Sequence, residues 1–200
     1  MTDGTEQHNP AQFIDNSPVY QARELLSGCY ILDTETTGLD DNAEIVEISI
    51  IDESGNVVLD TLIKPVNPIP SGATAIHGIT NEMVADAPCW PAVYHRVMDL
   101  ISSRPLVIYN ADYDLRMLGQ TAALYSLRGW GYGFINVWCA MHAYAEFYGE
   151  WDDQRGKYRW QRLGNAAAQQ GVTVDGKAHR ALADCRMTLG LLKAMAGVEA

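Results

Sequence analysis

A chain of 200 residues with 48% hydrophobic and 20% charged side chains can bury a core of its own, which excludes wholesale disorder and makes one domain the expectation. The net charge of −11 argues against a basic, non-specific polyanion binder, but it is unevenly spread: residues 1–149 carry 19 acids against 6 bases, and residues 150–200 carry 6 acids against 8 bases. No apolar run approaches the ~18 residues of a membrane span, no signal-peptide pattern opens the chain, and Cys29, Cys89, Cys139 and Cys185 form no CxxC pair, so the expectation is a cytoplasmic protein with reduced thiols and no membrane partner.

Residues 1–16 are polar and read as a disordered leader. Ser17-Pro18 is a helix start with Ser at the N-cap and Pro at N1, and Gly28 ends that N-terminal helix, 17–28. The remaining domain, 29–200, opens with a strand at Cys29-Tyr-Ile-Leu32. An Ile- and Val-rich strand follows over Glu44 to Ile51, then a turn at Glu53-Ser-Gly-Asn56 and a returning strand over Val57 to Ile63. Pro65, Pro68 and Pro70 hold an extended connection. The period then changes: helix over Pro91 to Ile101, strand over Pro105 to Tyr109, helix over Asp112 to Leu127, strand over Phe134 to Trp138 and helix over Ala140 to Phe147. Tyr148 to Trp160 reads as a polar, aromatic-rich connection, and helices follow at Leu163 to Gln170 and His179 to Met195. A three-strand antiparallel meander followed by alternating helices and strands predicts an α/β fold with a mixed sheet.

Three acidic clusters stand out. Asp33 and Glu35 lie at i and i+2 on the first strand, so both carboxylates project from one face, where a hard divalent cation would relieve their repulsion. Asp114 falls in the first turn of the helix after Val107-Ile-Tyr-Asn110, with Asp112 as a rival acid. His179 and Asp184 are five residues apart, ~140° around a helix, so they meet only if His179 lies in the loop before the helix. There a histidine near neutral pH can accept a proton from water. Singly, these are a solvated strand end, a first-turn acid or turn residue, and a surface His and Asp.

Jointly they carry a resemblance. DTETTGL, YNADYD and HRALAD, in this order and at intervals of about 80 and 70 residues, resemble the motifs of the DEDDh branch of DnaQ-like 3′–5′ exonucleases, from roughly Tyr30 to Leu192. Ala75-Ile-His-Gly-Ile-Thr80 matches a further segment, and the wording is most similar to the exonuclease X group. The resemblance implies a ribonuclease H-like fold with helices on both faces of the sheet, and makes 29–200 an exonuclease domain. It implies metal ligation by Asp33, Glu35, Asp114 and Asp184 for two Mg2+ or Mn2+ ions, with His179 as general base. It also implies substrate contacts from Glu35, Thr36, Leu39, His77 and Asn110. Asp114 is preferred over Asp112 because an aromatic residue, Tyr113, precedes it as in the family. The implied reaction is removal of nucleoside 5′-monophosphates from a single-stranded or 3′-end nucleic acid, DNA rather than RNA. The alternative is a catalytically silent module that grips a nucleic-acid end or a partner protein. The aromatic residues between Arg128 and Arg162, with Arg155, Lys157, Arg159 and Arg162, are either core plus solvated loop or a surface that stacks on unpaired bases.

Overall fold

The structure, a computed structural model, describes residues 17–127, 135–174 and 179–198. The expected leader, the aromatic residues Trp130, Tyr132 and Phe134, and Gly176 to Ala178 lie outside the described residues.

Helix α1 (Pro18–Leu25) starts as its sequence dictates, with the Ser17 hydroxyl accepting a hydrogen bond from the Tyr20 amide at 3.3 Å. Strands β1 (Tyr30–Thr36), β2 (Ile45–Asp52) and β3 (Val57–Leu62) form the antiparallel meander, turned between β2 and β3 at Gly55 with φ of 87°. The proline-rich connection runs into a short helix, α2 (Ser71–His77), ended by left-handed Gly78. Then come α3 (Trp90–Ser103), β4 (Leu106–Ile108), α4 (Ala111–Leu124), β5 (Val137–Cys139) and α5 (Ala140–Tyr148). A hairpin of β6 (Trp151–Asp152) and β7 (Lys157–Tyr158) precedes α6 (Leu163–Gln169) and α7 (Ala181–Ala196).

The main sheet has the order β3-β2-β1-β4-β5, with β4 parallel to both β1 and β5. Successive residues of β1 point to opposite faces. Ile31 therefore packs with Ala22, Tyr144, Ala166, Leu189 and Leu192 of α1, α5, α6 and α7, whereas Leu32 packs with Trp90, Val97, Ile101 and Leu118 of α3 and α4. This is the mixed sheet with helices on both faces that the sequence implied. The buried residues Trp90, Tyr94, Val97 and Ile101 of α3 recur at three- and four-residue steps, the spacing of one helical face.

Two elements went unread in the sequence. Helix α2 is a single short segment between prolines, with too few turns for a periodic signal. The β6–β7 hairpin consists of two-residue strands, below the length at which alternation can register.

The fold places its chemistry at the carboxyl ends of β1 and β4. There the chain order reverses direction across the sheet, the point at which open α/β sheets leave a crevice.

Candidate active site

Asp33 and Glu35 leave β1 on the face covered by α7, just before a register shift between Glu35 and Thr36 ends the regular pairing with β2. Asp184, in the first turn of α7, meets them: one carboxylate oxygen from each of the three lies within 4.8 Å of the others. Asp114 enters from the first turn of α4, 3% exposed, and accepts a hydrogen bond from the Thr34 hydroxyl at 2.7 Å. All four carboxylates line one cavity of about 420 Å³, together with His179 and Asn110.

Crowding sets the electrostatics. Burial, then Asp114, Asp184 and Glu35, hold the Asp33 carboxyl well above the usual range. Burial, followed by Asp184 and Glu47, raises Glu35 to about 8. Burial raises Asp114 to about 7 despite its bond from Thr34. Burial also raises Asp184, with His179 opposing the shift. Such a set of hard, mutually repelling oxygen donors fits a divalent cation of the Mg2+ or Mn2+ type, because a cation removes the repulsion and accepts these ligands.

His179 lies before α7, exposed, in the left-handed region with φ of 61°, and Arg180 is the N-cap. The loop position that the His179–Asp184 spacing required is therefore the one observed. Holding a non-glycine residue there costs about 1 kcal/mol or more and persists only where neighbours impose it.

The His179 backbone is hydrogen-bonded to Asp184, and a second restraint comes from a residue that the sequence reading passed over. Glu47 on β2 sits directly opposite Glu35 and is 3% exposed. Arg180 Nε donates to both its oxygens at 3.0 and 3.1 Å, Arg180 Nη2 donates to Oε1, and the Ala181 amide donates to Oε2 at 2.9 Å. Glu47 thus holds the residue after His179 and the first amide of α7, fixing the end of the helix that carries Asp184. Its signal was a lone acid within Ile45-Val-Glu-Ile-Ser-Ile50, a strand otherwise buried on both faces.

The remaining sequence candidates divide. Asn110 lines the cavity. The hydroxyls of Thr36 and Tyr113 both reach the Gly38 carbonyl, at 2.8 and 3.0 Å, tying the loop after β1 to α4. His77 is not brought to the cavity. It is 2% exposed, its Nδ1 accepts from the Ile79 amide at 3.0 Å, and its Nε2 lies 3.2 Å from the Thr36 carbonyl, a brace beneath the loop. Leu39 also stands outside the cavity lining, 78% exposed, with its carbonyl bonded by Arg116. Trp160 and Arg162 complete the cavity wall, and the Gln161 carbonyl between them accepts from the Tyr109 hydroxyl at 2.8 Å.

Comparison with known proteins gives a consistent result. The RNase_T family model, described as "Exonuclease", matches residues 30–192. An "Uncharacterized exonuclease CP81" of Escherichia phage 186 is 56% identical over 168 residues, 82% of this chain and 86% of that protein. The DNA polymerase III subunit epsilon of Rickettsia felis is 36% identical over 100 residues, 47% of this chain and 44% of that protein, so the match spans less than half of it. The structure of exonuclease X in complex with 5′ overhanging duplex DNA is 28% identical, with a TM-score of 0.63 over 86% of this chain and 95% of that one. Sequence, sheet order and carboxylate cluster converge, and the chain belongs to the DnaQ-like, DEDDh exonuclease family of nuclease hydrolases with a ribonuclease H-like fold.

Proposed function

We propose that this exonuclease removes nucleotides from the 3′ end of a DNA strand, with two ions of Mg2+ or Mn2+ as cofactor. The observation that carries the reading is the meeting of Asp33, Glu35 and Asp184 oxygens within 4.8 Å, in a cavity that also holds Asp114 and His179. Asp33, Glu35, Asp114 and Asp184 are the residues that would hold the ions. When bound, divalent cations supply a more acidic water and offset charge on the reacting phosphate.

The chain's own groups do the rest. The His179 ring, on its restrained loop, takes the proton as a water oxygen forms its bond to phosphorus. The bond from phosphorus to the 3′ oxygen of the penultimate nucleotide breaks, that oxygen takes a proton from solvent, and a nucleoside 5′-monophosphate leaves. Asn110, which lines the cavity, would orient the terminal nucleotide. The preference for DNA is supported by the DNA in the exonuclease X complex and by the polymerase relative.

A time course on 5′-labelled and 3′-labelled single strands of DNA and RNA, with Mg2+, Mn2+ or EDTA, tests the proposal. Expected are a 5′-labelled DNA ladder shortening stepwise, immediate loss of the 3′ label as mononucleotide, and no reaction in EDTA. Stepwise loss of the 5′ label first, or hydrolysis undiminished by EDTA, contradicts it.

A further inference from the structure

We propose that the β6–β7 hairpin is a stacking platform for the unpaired strand leading into the catalytic cavity, a role that rests on the 3′-end reading above. The hairpin displays Trp151, Tyr158 and Trp160 at 51%, 39% and 49% exposure, an unusual density of large rings facing solvent. Trp151 and Tyr158 are cross-strand partners and pack edge to face with centroids 5.1 Å apart. They form a fixed aromatic surface rather than two independent side chains.

Continuity with the catalytic cavity identifies the occupant. Trp160 lines that cavity and also borders a second one of about 380 Å³, formed with Asp152, Gln154, Arg155 and Arg159. The hairpin's trailing arm is anchored to the cavity floor where the Gln161 carbonyl accepts from Tyr109, which adjoins Asn110. Its base is closed by Glu150, which accepts from Arg159 Nη1 at 3.3 Å and Gln161 Nε2 at 3.2 Å. A strand whose end lies among the carboxylates can thus pass Trp160 onto the hairpin.

Charge favours the same occupant. In a chain of net charge −11, residues 150–162 carry Arg155, Lys157, Arg159 and Arg162 against three acids. One of these, Asp152, is engaged at the turn by the Gln154 and Arg155 amides and pairs with Arg159 Nε at 3.4 Å and Arg155 Nε at 3.9 Å, so the segment carries a small positive excess over its acids. Rings interleaved with cations suit unstacked bases joined by phosphates, and stacking is tolerant of sequence. A paired duplex keeps its bases stacked on each other and offers no open face to these rings.

The test is equilibrium binding of a fluorescent single strand of about twenty nucleotides to the full chain in EDTA, where no cleavage interferes. The Trp151→Ala/Tyr158→Ala variant is expected to bind about tenfold or more weakly, and Trp151→Phe/Tyr158→Phe within about twofold of the parent. Replacing Arg155 and Lys157 by Gln is expected to flatten the log–log salt dependence by about 1.4, the value for two phosphate contacts on a single strand. Hydrolysis of the p-nitrophenyl ester of thymidine 5′-monophosphate with Mn2+, which needs only the catalytic cavity, should be unchanged in the Ala variant.

Equal strand binding by parent and Ala variant, or parental preference for a blunt duplex, overturns the assignment. A parent that binds the strand through these rings but, with Mn2+, neither shortens it from the 3′ end nor hydrolyses the nitrophenyl ester defeats the 3′-end reading instead. A Phe variant as weak as the Ala variant also counts against stacking.

Discussion

Replacing Arg180 by Met removes the guanidinium that neutralises Glu47 while keeping most of the aliphatic volume. Glu47 is 3% exposed and would lose every hydrogen bond from Arg180, retaining the one from the Ala181 amide at 2.9 Å. It would then be a buried anion facing Glu35 across the strand pair, with Asp33 and Asp184 nearby. Breaking a buried ion pair from one side costs about 3–5 kcal/mol. Arg180 is itself 36% exposed, so water can partly replace it and the low end, about 3 kcal/mol, applies. For a domain of this size that corresponds to a melting temperature about 6–12 °C lower. Adding Glu47→Gln removes the stranded charge, so the double variant should recover part of the loss. Turnover should fall more than substrate affinity, since the pair sets the start of α7 rather than touching the strand. The assay is thermal unfolding of the parent, both single variants and the double, alongside kcat and KM. A melting point for Arg180→Met within about 2 °C of the parent, or a double variant no better than the single, would mean that Glu47 does not depend on Arg180 for its neutralisation.

The raised carboxyl groups give a pH dependence of defined sign. Glu35 at about 8 and Asp114 at about 7 bind more protons in the folded chain than in the unfolded one, where such groups titrate near 4. In EDTA, stability should therefore fall as pH rises from about 5 to about 8, with Mn2+ restoring more at the upper end; a flat profile contradicts this. Asp33→Asn removes a carboxyl that would ionise among the others as pH rises, so at about pH 8 and above in EDTA the variant should melt above the parent yet show little Mn2+-induced shift and no detectable turnover; a lower melting point there would tell against repulsion. His179→Ala should keep the Mn2+-induced melting shift while losing about 10²-fold or more in kcat, and near-parental kcat would remove His179 from its role.

Much of this architecture is legible from periodicity. The meander was readable because β1 to β3 are long enough to alternate and are joined by turn residues such as Ser54-Gly55-Asn56. Asp33 with Glu35 followed from the two-residue repeat of a strand, whereas His179 with Asp184 came from the resemblance of HRALAD to a family motif, the five-residue step adding only that His179 must lie in the loop before the helix. Contacts between distant segments left no such trace. Glu47 and Arg180 lie 133 residues apart, and nothing local pairs them. His77 reads as an available imidazole, yet the left-handed turn at Gly78 folds it back under Thr36. The arm that follows the hairpin is tied to the cavity by a hydrogen bond between residues 52 apart in sequence.

Polarity and the bond that breaks are both read from hydrolysis of a DNA strand with a distinct 3′-terminal nucleotide in 18O-labelled water, with the first products identified by mass spectrometry. The 3′-terminal nucleotide should appear first, as its 5′-monophosphate, with one 18O in the phosphate. First release from the 5′ end, a 3′-phosphate product, or an unlabelled phosphate would contradict it.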